Sequence, residues 1–133
     1  MVAYLVPKVD AVLNQIPRPH KGHRTLIINS LTSVTAEGAT RFAKYLMCAK
    51  EELDKGHKVT FRPHPLMRQT LRAMMPDILP AYDRMLESLR EYGAEIDESE
   101  IIERTIADCD EMISDPSSVI GMWEAAGKPY RII

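Results

Sequence analysis

The sequence has no apolar run near the ~20 residues that a membrane-spanning helix requires. Its first ten residues, Met1 to Asp10, have neither a basic leading region nor a small-residue cleavage site, so no secretory signal is read there. Cysteine is scarce: Cys48 and Cys109 stand far apart, with no CxxC and no histidine pair at zinc spacing. Buried reduced thiols are therefore expected rather than a disulfide or a structural zinc. The net charge is only −2, which excludes nucleic-acid binding driven by bulk charge. No low-complexity tract or internal repeat occurs, and 45% apolar with 27% charged residues excludes intrinsic disorder.

The charge is unevenly spread. Residues 1–90 carry 14 Lys and Arg against 8 Asp and Glu, whereas residues 91–133 carry 3 against 11. A basic front half suits an anionic, phosphorylated ligand. Unequal helix surfaces are the plainer explanation.

A chain of 133 residues is the length of one domain. Residues 1–23, with Pro7, Pro17, Pro19 and Gly22, read as a linker or arm, and residues 24–133 as one folded unit. The run Thr25 to Asn29 is almost wholly apolar, as in a strand covered on both faces. A hydroxyl-rich loop, Ser30 to Thr35, is expected next, then a helix through Ala39, Phe42, Leu46 and Leu53 that Gly56 ends. His57 to Arg62 reads as a strand. Leu66, Thr70, Leu71 and Met74 mark one face of a helix that Pro76 breaks, and Tyr82 to Leu89 a further helix stopped by Gly93. A weak strand at Ala94–Asp97, a short helix capped by Ser99, a strand at Met112–Ile113, a helix through Val119, Met122 and Trp123, and a last strand at Tyr130–Ile133 complete the pattern. Met67, Met74, Met75, Met85, Met112 and Trp123 read as core residues.

Strand and helix alternating in this way predict a three-layer, Rossmann-like α/β domain with a mainly parallel sheet of about five strands. Ligands of such sheets lie at the carboxyl ends of the strands. Two loops there have anion chemistry. Arg62-Pro63-His64-Pro65 holds a histidine between two prolines, which fixes the backbone and gives the imidazole a set direction beside a permanent charge. Ser114-Asp115-Pro116-Ser117-Ser118 suits a helix start, with Asp115 as the cap, Pro116 in the first helical position and the amides of Ser117 and Ser118 free for a phosphate. Taken singly, each loop reads equally well as a stiff turn or a capped helix without a ligand. His20, His23 and His57 have no comparable setting and receive no role. The acidic cluster Asp108, Asp110 and Glu111 is read as solvated charge, and no metal or other cofactor is expected.

Val59-Thr60-Phe61-Arg62-Pro63-His64-Pro65, then Ala107 to Ser118, then Gly127-Lys128-Pro129, resembles the CDP-glycerol glycerophosphotransferase (teichoic acid polymerase) family, whose usual forms are a basic residue before His-Pro, "aDvlItDySS" and "nKPii". Val6-Pro7-Lys8-Val9-Asp10 is similar to the "GyPKlD" stretch that enters the nucleotide-binding half. The likeness extends more loosely to capsule polymerases. It implies that the chain is the C-terminal, donor-binding half of a GT-B enzyme of cell-wall or capsule polymer synthesis. The implied ligand is a nucleotide-diphosphate donor such as CDP-glycerol, held by Arg62, His64, Ser117 and Ser118, with Asp115 shaping its loop and no metal. His64 is the one candidate catalytic residue. The resemblance also implies a cytoplasmic protein, membrane-surface association only through the absent acceptor half, and no transfer activity in the isolated half. Apolar surface that would face that half makes a homodimer an expectation. The chain departs from the pattern at Pro116, in place of the usual tyrosine, and at Ser30-Leu31-Thr32-Ser33, in place of "aPTwR". The alternative from the residues alone is a stand-alone nucleotide-sensing or protein-interaction module without catalysis; fold by itself does not choose between them.

Overall fold

A computed structural model describes residues 22–99, 101–117 and 119–133. Among these, five strands form one sheet: β1 (Arg24–Ile28), β2 (Lys58–Arg62), β3 (Glu95–Ile96), β4 (Glu111–Ser114) and β5 (Tyr130–Ile132). Their order is β3-β2-β1-β4-β5, and every pairing is parallel. The predicted α/β architecture is therefore the observed one. The expected arm lies outside the described residues except for Gly22 and His23, and the His23 carbonyl accepts the Lys58 N–H at 2.8 Å. No helix among the described residues is long and apolar enough to cross a membrane.

The three central strands, β1, β2 and β4, are covered on both faces, and their side chains divide accordingly. Ile27, Val59, Phe61 and Ile113 pack under α1 (Leu31–Glu37), α2 (Ala39–Asp54), α3 (Met67–Met74) and α4 (Leu79–Tyr92). Leu26, Ile28 and Met112 pack on the other face against α5 (Ile102–Asp108) and α6 (Val119–Ala125). Adjacent residues of β1 point to opposite layers, and each layer is apolar. This is why Thr25–Ile28 shows no alternation in the sequence. Trp123 is fully buried, and its indole N–H donates to the Pro129 carbonyl at 2.8 Å, which satisfies its one polar atom.

Several local expectations are corrected. Ser30 to Thr35 is not a loop. It opens α1, with the Ser30 hydroxyl accepting the Ser33 N–H at 3.1 Å as a side-chain cap and Thr35 returning its hydroxyl to the Leu31 carbonyl at 2.9 Å. Gly38, at φ +63°, then separates α1 from α2, a backbone state that costs glycine little. Ser99 does not cap α5, which begins at Ile102; its N–H goes to Asp97 Oδ1 at 2.9 Å. Met74 and Leu66 are exposed, at 67% and 50%, whereas Met67, Leu71, Met85 and Met112 are core. Both cysteines are buried free thiols, and burial pushes Cys109 up to about 12. Asp108 is buried, 2% exposed, and so is not the solvated charge expected of it.

Candidate functional site

In the order β3-β2-β1-β4-β5, the chain direction across the sheet reverses between β1 and β4, and such a switch point opens a crevice at the strands' carboxyl ends. A cleft of about 480 Å³ lies there. Asn29, Ser30 and Thr32 line it from the end of β1, Arg62 to Pro65 from the end of β2, and Pro116 and Ser117 from the end of β4. His64, Arg62 and Ser117, assigned to one site from separate loops, thus border one cavity. Ser118 lies outside the described residues.

The turn after β2 is held by three anchors. Pro63 and Pro65 restrict its backbone. The His64 N–H donates to Asn29 Oδ1 at 2.6 Å, joining the β1 and β2 loops. The Leu66 N–H donates to His64 Nδ1 at 3.1 Å, which fixes the neutral imidazole with its proton on Nε2. Nε2 has no hydrogen-bond partner among the described residues. Burial lowers the affinity of His64 for a second proton.

Arg62 is 6% exposed, and its Nη1 contacts Asp97 Oδ2 at 3.0 Å and Ser99 Oγ at 3.3 Å. Burial alone would raise the Asp97 carboxyl; hydrogen bonds from Thr105 and Ser99, and the Arg62 charge, bring it below its ordinary value. The Arg62 charge is therefore partly balanced inside the protein. Arg62 also borders a second recess of about 460 Å³ beyond the His64 turn, lined by Arg68, Tyr82 and Asp97.

Asp115 departs most from expectation. It does not cap a helix at Pro116, because α6 begins at Val119. Its carboxylate is fully buried. Oδ2 accepts the Ser30 N–H at 2.8 Å and the Tyr45 hydroxyl, and Oδ1 lies 3.0 Å from Arg41 Nε. Burial, reinforced by the Asp115 carboxylate, pushes the Tyr45 phenol far above its usual value, so it stays a donor. Arg41 in turn donates to the Ile133 carbonyl at 2.9 Å. Asp115 is thus a post beneath the cleft that ties the β4 loop to α1, α2 and the end of β5. Lys128, from the third matching motif, is also structural: its ammonium donates to the carbonyls of Ile106 and Cys109, both at 2.7 Å, and closes the end of α5.

Asn29 was missed by sequence reasoning. It is 1% exposed, its Oδ1 holds the His64 turn, and its Nδ2 is buried at the wall of the cleft with no hydrogen-bond partner among the described residues. The available signal was one polar residue ending an otherwise apolar strand.

No family model matches the chain, and no curated protein matches it. A solved structure of the wall teichoic acid polymerase TagF, soaked with CDPG, is similar at 16% identity and a TM-score of 0.48 over 99% of this chain. The chain spans 28% of that polymerase chain.

Proposed function

We propose that the cleft between the β1, β2 and β4 loops binds the diphosphate of a nucleotide-linked donor such as CDP-glycerol, and that the chain is the donor-binding part of a glycerophosphotransferase- or glycosyltransferase-like enzyme. The observation that carries this reading is the meeting of His64 and Ser117 in one cavity at the switch point of the sheet. His64 Nε2–H donates to a phosphate oxygen. Asn29 Nδ2, a buried donor without a partner, supplies a second contact at no further desolvation cost. Ser117 offers hydroxyl and amide donors from the β4 loop. Arg62 contributes what remains of its charge and keeps the His64 turn fixed. In glycerophosphate transfer an acceptor hydroxyl bonds to the donor's β-phosphorus and loses its proton as the bridging P–O bond to the nucleoside monophosphate breaks, and these donors stabilise the negative charge that builds on the departing α-phosphate. The resemblance in His64, Ser117 and Ser118 to the glycerophosphotransferase motifs supports a diphosphate-linked donor, either CDP-glycerol or a nucleotide-sugar.

NMR titration of the chain with CDP, UDP and CDP-glycerol tests the proposal. Saturable shifts at Asn29–Leu31, His64–Leu66 and Ser117 are expected. One charge-assisted contact contributes about 1.5–3 kcal/mol, so His64→Ala weakens binding roughly ten- to a hundredfold. Unchanged spectra at millimolar nucleotide, or equal affinity in His64→Ala, would overturn it.

A further inference from the structure

The other end of the sheet, where the strands begin, gathers a second set of chemically capable side chains from four separate segments. Glu52 comes from the last turns of α2 and is 1% exposed. His57 stands between α2 and β2, His23 immediately precedes β1, and Glu111 opens β4. His57 Nδ1 is 3.1 Å from Glu52 Oε1, and His23 Nε2 is 3.3 Å from Glu111 Oε1. The two imidazole rings lie 4.2 Å apart between centroids, inclined at 40°. One donor atom from each of the four residues falls within 4.8 Å of all the others.

Three features point beyond a pair of ordinary ion pairs. His23 Nε2 is buried and makes no hydrogen bond among the described residues, although a carboxylate oxygen is 3.3 Å away. The Thr25 hydroxyl lies 2.7 Å from Glu52 Oε1 and 3.2 Å from Glu111 Oε1, yet its single proton serves only one of these carboxylates at a time. Lys55 Nζ takes Glu52 Oε2 at 2.9 Å, leaving Oε1 to face the imidazoles. A cation among these atoms accounts for all three: it gives His23 Nε2 a partner, frees the Thr25 proton to orient one carboxylate, and uses the Glu52 Oε1 that Lys55 leaves open.

We propose that His23, Glu52, His57 and Glu111 form a site for one divalent transition-metal ion of the zinc class. Tetrahedral zinc with bonds of about 2.0–2.2 Å sets its ligand atoms about 3.3–3.5 Å apart. The two short separations, 3.1 and 3.3 Å, lie within about 0.2 Å of this range, and a separation at the 4.8 Å limit closes by about 1.3–1.5 Å. His23 and Glu111, whose side chains are 33% and 31% exposed, have room to make that movement. Two neutral imidazoles and two carboxylates carry the charge that a divalent ion balances, and imidazole nitrogen favours zinc, nickel or cobalt over magnesium or calcium. The ion would pin the start of β1, the start of β4 and the end of α2 to one another. It lies at the opposite edge of the sheet from the His64 cleft, so it takes no part in donor binding and the two proposals stand or fall separately.

The test is zinc titration of the full 133-residue chain, stripped with chelator, by calorimetry and thermal unfolding. Cobalt then serves as a spectroscopic substitute. One equivalent of zinc binds, Tm rises with zinc concentration, and cobalt gives the visible bands of a four-coordinate nitrogen–oxygen site. His57→Ala weakens zinc binding by about tenfold or more, as loss of a direct ligand requires. Glu111→Gln, which keeps side-chain shape, does the same with an unchanged circular dichroism spectrum. Asp77→Asn, an exposed carboxylate elsewhere, leaves binding unaltered. Absence of one-equivalent binding in the parent chain, or equal affinity in His57→Ala and Glu111→Gln, overturns the proposal and leaves two histidine–carboxylate pairs.

Discussion

Replacing Asp115 with alanine removes the acceptor of two hydrogen bonds and the partner of a buried ion pair at once. Arg41, 4% exposed, keeps only Glu37 at 3.4 Å and the Ile133 and Ser33 oxygens. The Ser30 N–H and the Tyr45 hydroxyl, both paired to Oδ2, lose their partner inside the protein. Breaking a buried ion pair by deleting one member costs about 3–5 kcal/mol, because the remaining charge stays desolvated. Set against a total stability of about 5–15 kcal/mol, that is a large share. At about 3–5 °C per kcal/mol for a domain of this size, Tm falls by about 10–25 °C. Urea unfolding by linear extrapolation measures the change. The diagnostic variant is Asp115→Asn combined with Arg41→Met. Removing both charges leaves no unpaired ion, so the double variant is less damaged than the two single losses summed, by about 1–3 kcal/mol. Strict additivity, or an Asp115→Ala cost below about 1 kcal/mol, would refute the reasoning.

Two pH effects and one cap follow from the same structure. Burial lowers the His64 imidazole below its ordinary 6.5, so its neutral form is the folded one. Stability is then full above that value and falls as pH drops through it, and chemical unfolding of His64→Ala between about pH 7.5 and about pH 5 is expected to lack this slope. Asp97 is depressed below 3.8, so it contributes stability above its unfolded value and loses it in acid. Asp97→Asn is accordingly less stable than the parent at neutral pH, with the gap narrowing below about pH 4, as acid titration of Tm would register. Lys128→Met retains the stem over Trp123 but removes the bonds to the α5 carbonyls, at a cost of about 1.5–3 kcal/mol in urea unfolding.

The sequence by itself determined the order of strands and helices, and with it the layered parallel architecture, because apolar runs of strand length alternate with stretches of helical spacing and glycines stand where helices stop. It also determined that His64 and Ser117 meet, since loops following parallel strands emerge at one edge. Ser30 to Thr35 misled because hydroxyl residues favour loops until one of them caps a helix and another bonds back to its own turn. Three further features were decided only by the tertiary structure. Asp115 turns inward because Arg41 and Tyr45, 74 and 70 positions away, supply buried partners, and no local pattern encodes that. Asn29 reaches His64 across two strands. His23, Glu52, His57 and Glu111 have no motif spacing and converge only because β1, β2 and β4 start side by side in the sheet. Local propensity and periodicity act over a few residues and are written in the chain. The pairing of polar groups across a sheet depends on register and strand order, which exist only once the chain has folded.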